Sequence, residues 1–136
     1  MDVVILIGRI LFVLLFLLSA FGHFAQGKGM IGYAQSKRVP MPAVGVYGGG
    51  VLLGLGGLSV LLGIWPDLGA LLLVIFLVPT AVLMHGFWKE TDAQAKQMEQ
   101  IQFLKDISLA GAALMLFGLF ATLGDSLGLV IAPPLF

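Results

Sequence analysis

Four apolar stretches, each close to the length of a bilayer crossing, constrain this chain more than anything else in it: residues 3–24, 42–64, 68–88 and 101–123. A helix needs about 20 residues to cross a hydrocarbon core. In lipid every backbone N–H and C=O must be satisfied within the segment, so each stretch is read as a membrane helix. Composition agrees: charged residues are 10% of the chain, against about 25% in a soluble domain. The expected fold is an all-α membrane protein, a four-transmembrane-helix bundle forming a single membrane domain over residues 1–136. Its helices are expected at about residues 3–24, 42–64, 68–88 and 92–123, with an apolar tail at 126–136.

The connections refine this picture. Trp65-Pro66-Asp67 is a tight turn, which makes the second and third stretches an antiparallel hairpin. The first stretch carries Ser19-Ala20, a small-residue patch of the kind found in signal peptides, but is read as a retained membrane helix. The first connection carries Lys28, Lys37 and Arg38, and the second carries Lys89 and Lys96 with Lys105 close by. With four spans these two connections share a side. The positive-inside rule places them in the cytoplasm and both termini outside. Tyr33 and the basic residues of the first connection suit a short helix lying at the interface. It ends where Pro40 and Pro42 lead into the second span. In the second connection, Thr91 and Gln94 have the spacing of a capping box.

Several function classes are excluded at once. Seven basic residues balance seven acidic ones, so the clustered basic footprint of a nucleic-acid binder is missing. The chain has no cysteine, which removes disulfides, thiolate metal sites and iron–sulfur ligation. No metal site is expected. Two histidines and Asp106 form a sparse ligand set, and bis-histidine haem ligation through His23 and His85 is the weaker cofactor reading. Glycines pervade the second stretch. Gly45/Gly49 and Gly50/Gly54 have the four-residue spacing that lets membrane helices approach closely. In the fourth, Ser108/Ala112 and Gly111/Gly118 offer small faces for packing. A phosphate-cradling glycine loop would have to follow a strand, which this run does not.

Polar residues inside the apolar stretches are the places to look for function. His23 and His85 fall at the same end of the first and third helices, and Gln102, Lys105 and Asp106 lie in the first membrane turns of the fourth. Those three cover an arc of about 100° on one helix face, which should point into the bundle or a wet cavity. Arg9 lies about 21 Å from His23 along the first helix at ~1.5 Å per residue, in the opposite half of the membrane. Its expected structural ion-pair partner is Asp125, at the far end of the fourth helix, with snorkelling to head groups as the alternative.

These residues, in this order, resemble the DoxX family of small bacterial and archaeal four-helix membrane proteins. The resemblance covers nearly the whole chain. It rests on Arg9, on Arg38-Val39-Pro40-Met41-Pro42, on Gly54 to Gly63, and most strongly on His85-Gly86-Phe87-Trp88, Asp92 and the Phe103-to-Gly111 run. Two departures stand out. Residues 42–65 hold no acid where relatives often have one, and Asp106 stands where many have asparagine. The resemblance implies a multi-pass protein of the bacterial or archaeal cytoplasmic (inner) membrane, working near quinone-linked redox or respiratory chemistry.

The candidate ligand-binding residues are therefore His23, His85, Gln102, Lys105 and Asp106, and the candidate ligand is a quinone or other small redox lipid. Histidine exchanges protons near neutral pH, and lysine and glutamine donate hydrogen bonds to carbonyls. No intrinsic cofactor is expected, and catalytic residues are not assigned. Two other readings remain open. In one, the chain is a non-catalytic accessory subunit of a larger membrane complex, its cluster bracing the bundle and its partners being lipid, other membrane subunits or a second copy of itself. In the other, a transporter or channel forms only in an oligomer.

Overall fold

The computed structural model describes residues 1–136 except for the side chain of Asp125. The chain forms five α-helices: α1 Asp2–Ala25, α2 Gly27–Ser36, α3 Pro42–Leu62, α4 Pro66–Met84 and α5 Ala93–Leu123. Short 3₁₀ turns follow α4 (Phe87–Lys89) and α5 (Gly124–Ser126). Segments Asp2–Ala25, Pro42–Leu62, Pro66–Lys89 and Ala93–Leu123 are each long and apolar enough to cross a membrane. The fold is thus all-α with four candidate spans, and α2 is the short helix between the first two.

Local chemistry sets the boundaries. Proline opens both α3 and α4, where its missing N–H costs nothing and its fixed φ suits the first turn. Asp92, not Thr91, caps α5: its carboxylate accepts the Ala95 N–H at 2.8 Å. The capping-box reading chose the wrong residue by one position. At the end of α3, Gly63 takes a left-handed φ of 64°. The N–H groups of Gly63 and Ile64 both turn back to the Ser59 carbonyl, a Schellman-type closure.

Helices pack in chain order, α1 on α3, α3 on α4 and α4 on α5, and α2 lies against α3. Among the described residues α1 and α5 form no comparable seam. The bundle is therefore a folded row rather than a closed ring. Val13, Phe16, Leu53, Val60, Leu73, Leu77, Ala113 and Phe120 make its core.

Glycines set close approaches, and one member of each expected pair takes part: a Cβ on Gly49 would meet Phe76 at 2.7 Å and one on Gly50 would meet His23 and Phe24 at 2.9 Å, whereas Gly45 is open and Gly54 has only ordinary contact with Ala20. A Cβ on Gly56 would meet the Gly69 carbonyl at 2.9 Å, and one on Gly57 would meet Leu17 at 2.9 Å. Those two positions, about 100° apart around the helix, seat α4 and α1 on different faces of α3. Around Gly45, Gly111 and Gly118 nothing lies within 4 Å. Helix α5 buries Asp106, Ala110, Ala113 and Phe120 instead. Four-residue spacing permits a close approach but does not say which face meets a neighbour.

The apolar tail folds back on its own chain. The N–H groups of Ile131 and Ala132 both donate to the Gly63 carbonyl at 2.9 Å, and Ile64 and Ala132 form an isolated bridge. Asp67, fully buried, accepts the Leu135 and Phe136 N–H groups on Oδ2 at 2.8 and 2.7 Å. The Phe136 ring stands edge-on to Phe117.

Candidate functional site

The chain has two polar ends. The terminal end holds both termini and the α3–α4 turn; the loop end holds α2 and the α4–α5 connection. At the terminal end, Arg9 is 3% exposed. Its Nε donates to the Val60 carbonyl at 2.7 Å, one terminal nitrogen to the Leu129 carbonyl at 2.8 Å and the other to the Leu61 carbonyl. Val60 and Leu61 lie in the last turn of α3, where carbonyls lack helical partners and a cation complements the helix dipole. Arg9 thus ties α1, the end of α3 and the tail together through backbone. Its expected partner, the Asp125 side chain, lies outside the described residues.

At the loop end, Glu99 on α5 is the hub. Its Oε1 accepts from Tyr33 Oη at 3.0 Å and from Lys37 Nζ at 2.8 Å, and its Oε2 pairs with His85 Nδ1 at 2.7 Å. Lys37 also reaches Glu90 at 2.8 Å. On its other side, His85 Nε2 faces Asp106 Oδ2 at 3.7 Å. Lys105 Nζ lies 3.4 Å from Asp106 Oδ1 and donates to Gln102 Oε1 at 2.6 Å. Asp106 is 5% exposed; the rest of the network is partly open to the surface.

Helix geometry explains why these groups meet. Glu99 and Asp106 are seven residues apart, two turns or about 10 Å along one face of α5. His85, where α4 unwinds, fits between them. The rings of Phe87, Trp88 and Phe103 meet edge-to-face at 5.3, 5.5 and 5.7 Å and pin that exit to α5. Burial works against a charge on Lys37, yet its hydrogen bonds to Glu90 and Glu99 outweigh it and hold the ammonium above the ordinary lysine range. Burial first, and then the bond to Glu99, raises the Tyr33 phenol.

His23 stands apart from this network. Its Nδ1 lies 2.6 Å from the Val46 carbonyl. A carbonyl only accepts, so Nδ1 carries the proton and donates. Its ring lies edge-on to Phe76 at 5.6 Å, and Gly49 and Gly50 leave room for it, with their Cβ positions within 3.2 Å of His23 atoms. His23, His85, Lys105 and Asp106 nevertheless line one cavity of about 1000 Å³ at the loop half of the bundle. Its wall is otherwise mostly apolar, from α1, α2, α3 and α4. Pro79, inside α4, lines it too and supplies no N–H to the carbonyl one turn back. Gln102 is not part of the wall; it only receives Lys105.

Glu99, Glu90, Lys37 and Tyr33 fall in the two connections, outside the four apolar stretches. The heptad spacing of Glu99 to Asp106 was the available signal for the first. Nothing in the chain order announces that α2 brings Tyr33 and Lys37 beneath α5. Among the described residues no group of three or more His, Asp or Glu is arranged to hold a metal ion.

A family model, DoxX, matches residues 4–86. Inner membrane protein YphA of Escherichia coli (strain K12) is 33% identical over 116 residues, covering 85% of this chain and 81% of that protein. No solved structure matches.

Proposed function

Since the chain belongs to the DoxX family of integral membrane proteins, we propose that it serves membrane redox chemistry by holding the head group of a quinone or similar redox lipid in the loop-end cavity. The observation that carries this reading is the cavity itself. It has the size of small-molecule sites, about 300–1000 Å³, and combines an apolar wall with a few convergent polar groups: His23, His85, Lys105 and Asp106. An isoprenoid-type tail suits the apolar wall. A ring carbonyl suits the Lys105 ammonium, and a ring hydroxyl suits the Asp106 carboxylate. The chain supplies binding and proton contacts, and electrons come from a partner in the membrane. By the positive-inside rule the loop end faces the cytoplasm of a bacterial or archaeal cell.

Titration of the detergent-purified protein with a short-tailed ubiquinone or menaquinone analogue tests this. Saturable binding that weakens at least tenfold in His85→Ala, and is unchanged in the lipid-facing variant Leu11→Ala, is expected. Wild-type protein that fails to bind either analogue, and is extracted only inside a larger complex, establishes instead that the cluster braces an accessory subunit.

A further inference from the structure

His85 is the one side chain at the loop end that faces a carboxylate from each ring nitrogen: Glu99 Oε2 at 2.7 Å from Nδ1 and Asp106 Oδ2 at 3.7 Å from Nε2. A neutral imidazole holds a single N–H. With that proton on Nδ1, Nε2 and a charged Asp106 would meet lone pair to lone pair. The contact is favourable only when a further proton resides on His85 or on Asp106. The two carboxylates also differ in setting. Glu99 sits among Tyr33 and Lys37 at the connections, whereas Asp106 lies in the cavity wall.

The geometry points to a proton path, Glu99–His85–Asp106, that joins the loop-end surface to the cavity and serves a ligand whose head group carries an ionisable hydroxyl, of the phenol or hydroquinone class. A hydroxyl bound at Asp106 passes its proton to the carboxylate. His85 takes that proton on Nε2 and releases the one on Nδ1 to Glu99 and the surface. The imidazole returns to its starting form by ring flip or tautomer exchange. The 3.7 Å step is just beyond a direct hydrogen bond and closes with a small ring rotation or one bridging water. No electron moves in these steps. The groups facing His85 and its partners are Tyr33 from α2, Lys37 beyond it, Glu90 before α5, Lys105 on α5 and, across the cavity, His23 on α1. None of these lies between the two carboxylates as His85 does.

This inference rests on the cavity binding such a ligand, so its test has two arms. In the first, a short-tailed ubiquinol analogue is mixed with purified protein, and proton release is followed by stopped flow with a pH indicator and by calorimetry in two buffers of different ionisation enthalpy. Proton release on binding is expected in wild type. In Asp106→Asn binding should weaken, and the binding reached at higher analogue concentration should proceed without proton release; in Glu99→Gln release should be slowed roughly tenfold or more with its stoichiometry kept. Unchanged stoichiometry in Asp106→Asn, or an unchanged rate in Glu99→Gln, overturns the path. The second arm needs no ligand. The His85 ring resonances are titrated by NMR in wild type, Glu99→Gln and Asp106→Asn, with helicity checked by circular dichroism. A titration curve moved by both substitutions supports the path even if the analogue does not bind, which would count only against the cavity reading. A curve moved by neither overturns it.

Discussion

The two polar ends of this molecule solve the same problem in opposite ways. At the terminal end, Arg9 and Asp67 are almost wholly buried and bonded only to backbone: Arg9 to three carbonyls, Asp67 to two N–H groups. At the loop end, charged and polar side chains bond to one another: Tyr33, Lys37, Glu90, Glu99, His85, Lys105 and Asp106 form a chain of contacts beside a large cavity. Backbone partners cannot move or titrate without unfolding a helix end. Side-chain partners can do both. The terminal end has the character of a structural lock and the loop end that of a site.

This contrast is open to measurement, and the largest effect should come from the lock. Arg9→Leu leaves the Val60, Leu61 and Leu129 carbonyls without donors at roughly 1–3 kcal/mol for each buried group. The expected loss of stability is several kcal/mol, read as the unfolding midpoint in mild detergent. A loss smaller than about 1 kcal/mol would make Arg9 an ordinary snorkelling residue. Next in size is Gly56→Ala. Its Cβ would press on the Gly69 carbonyl at 2.9 Å and separate α3 from α4, at a cost of about 1–3 kcal/mol. Gly118→Ala, with nothing within 4 Å, should be neutral or slightly stabilising. Equal effects at the two glycines would contradict the row-like packing.

Asp67→Ala should release the tail, at about 1–2 kcal/mol for two lost bonds. Faster hydrogen exchange at the Leu135 and Phe136 amides is the direct readout, with binding at the loop end untouched.

The loop-end network should count least for stability. Lys37→Gln breaks partly exposed pairs worth about 1 kcal/mol or less. Because Lys37 is held above the ordinary lysine range, its contribution is full below about pH 10. It is lost as pH rises through the raised value, so wild type and Lys37→Gln should converge in stability at strongly alkaline pH. A gap that widened there would contradict the pairing.

Much of the fold is legible in the sequence because hydropathy over some twenty residues reports a bilayer crossing directly. The loop-end meeting of His85 with Asp106 is likewise legible from depth along the helices. Other features were not, for physical reasons. Arg9 bonds to carbonyls, which every residue has, so no side-chain pattern marks its partners. Glu99 reads as a solvated acid even with the fourth helix expected from residue 92, because nothing in the sequence shows that Tyr33 and Lys37 of the first connection meet that face of α5. The tail has no periodicity, and its return to Gly63 depends on a left-handed turn at the end of α3. The glycine and alanine faces of α5 follow from which neighbours α5 has, and spacing alone does not carry that.

The central claim is that the loop-end cavity, and not the lipid-facing surface, receives a quinone-type head group. Photolabelling of the protein in native membranes with an azidoquinone, followed by peptide mapping, tests it most directly. Label concentrated on cavity-wall residues such as Met30, Tyr33, Thr80 and Met84, and suppressed by excess unlabelled quinone, is the predicted result. Label spread over exposed apolar positions such as Leu11, Leu18 and Met115, and insensitive to competitor, would contradict it.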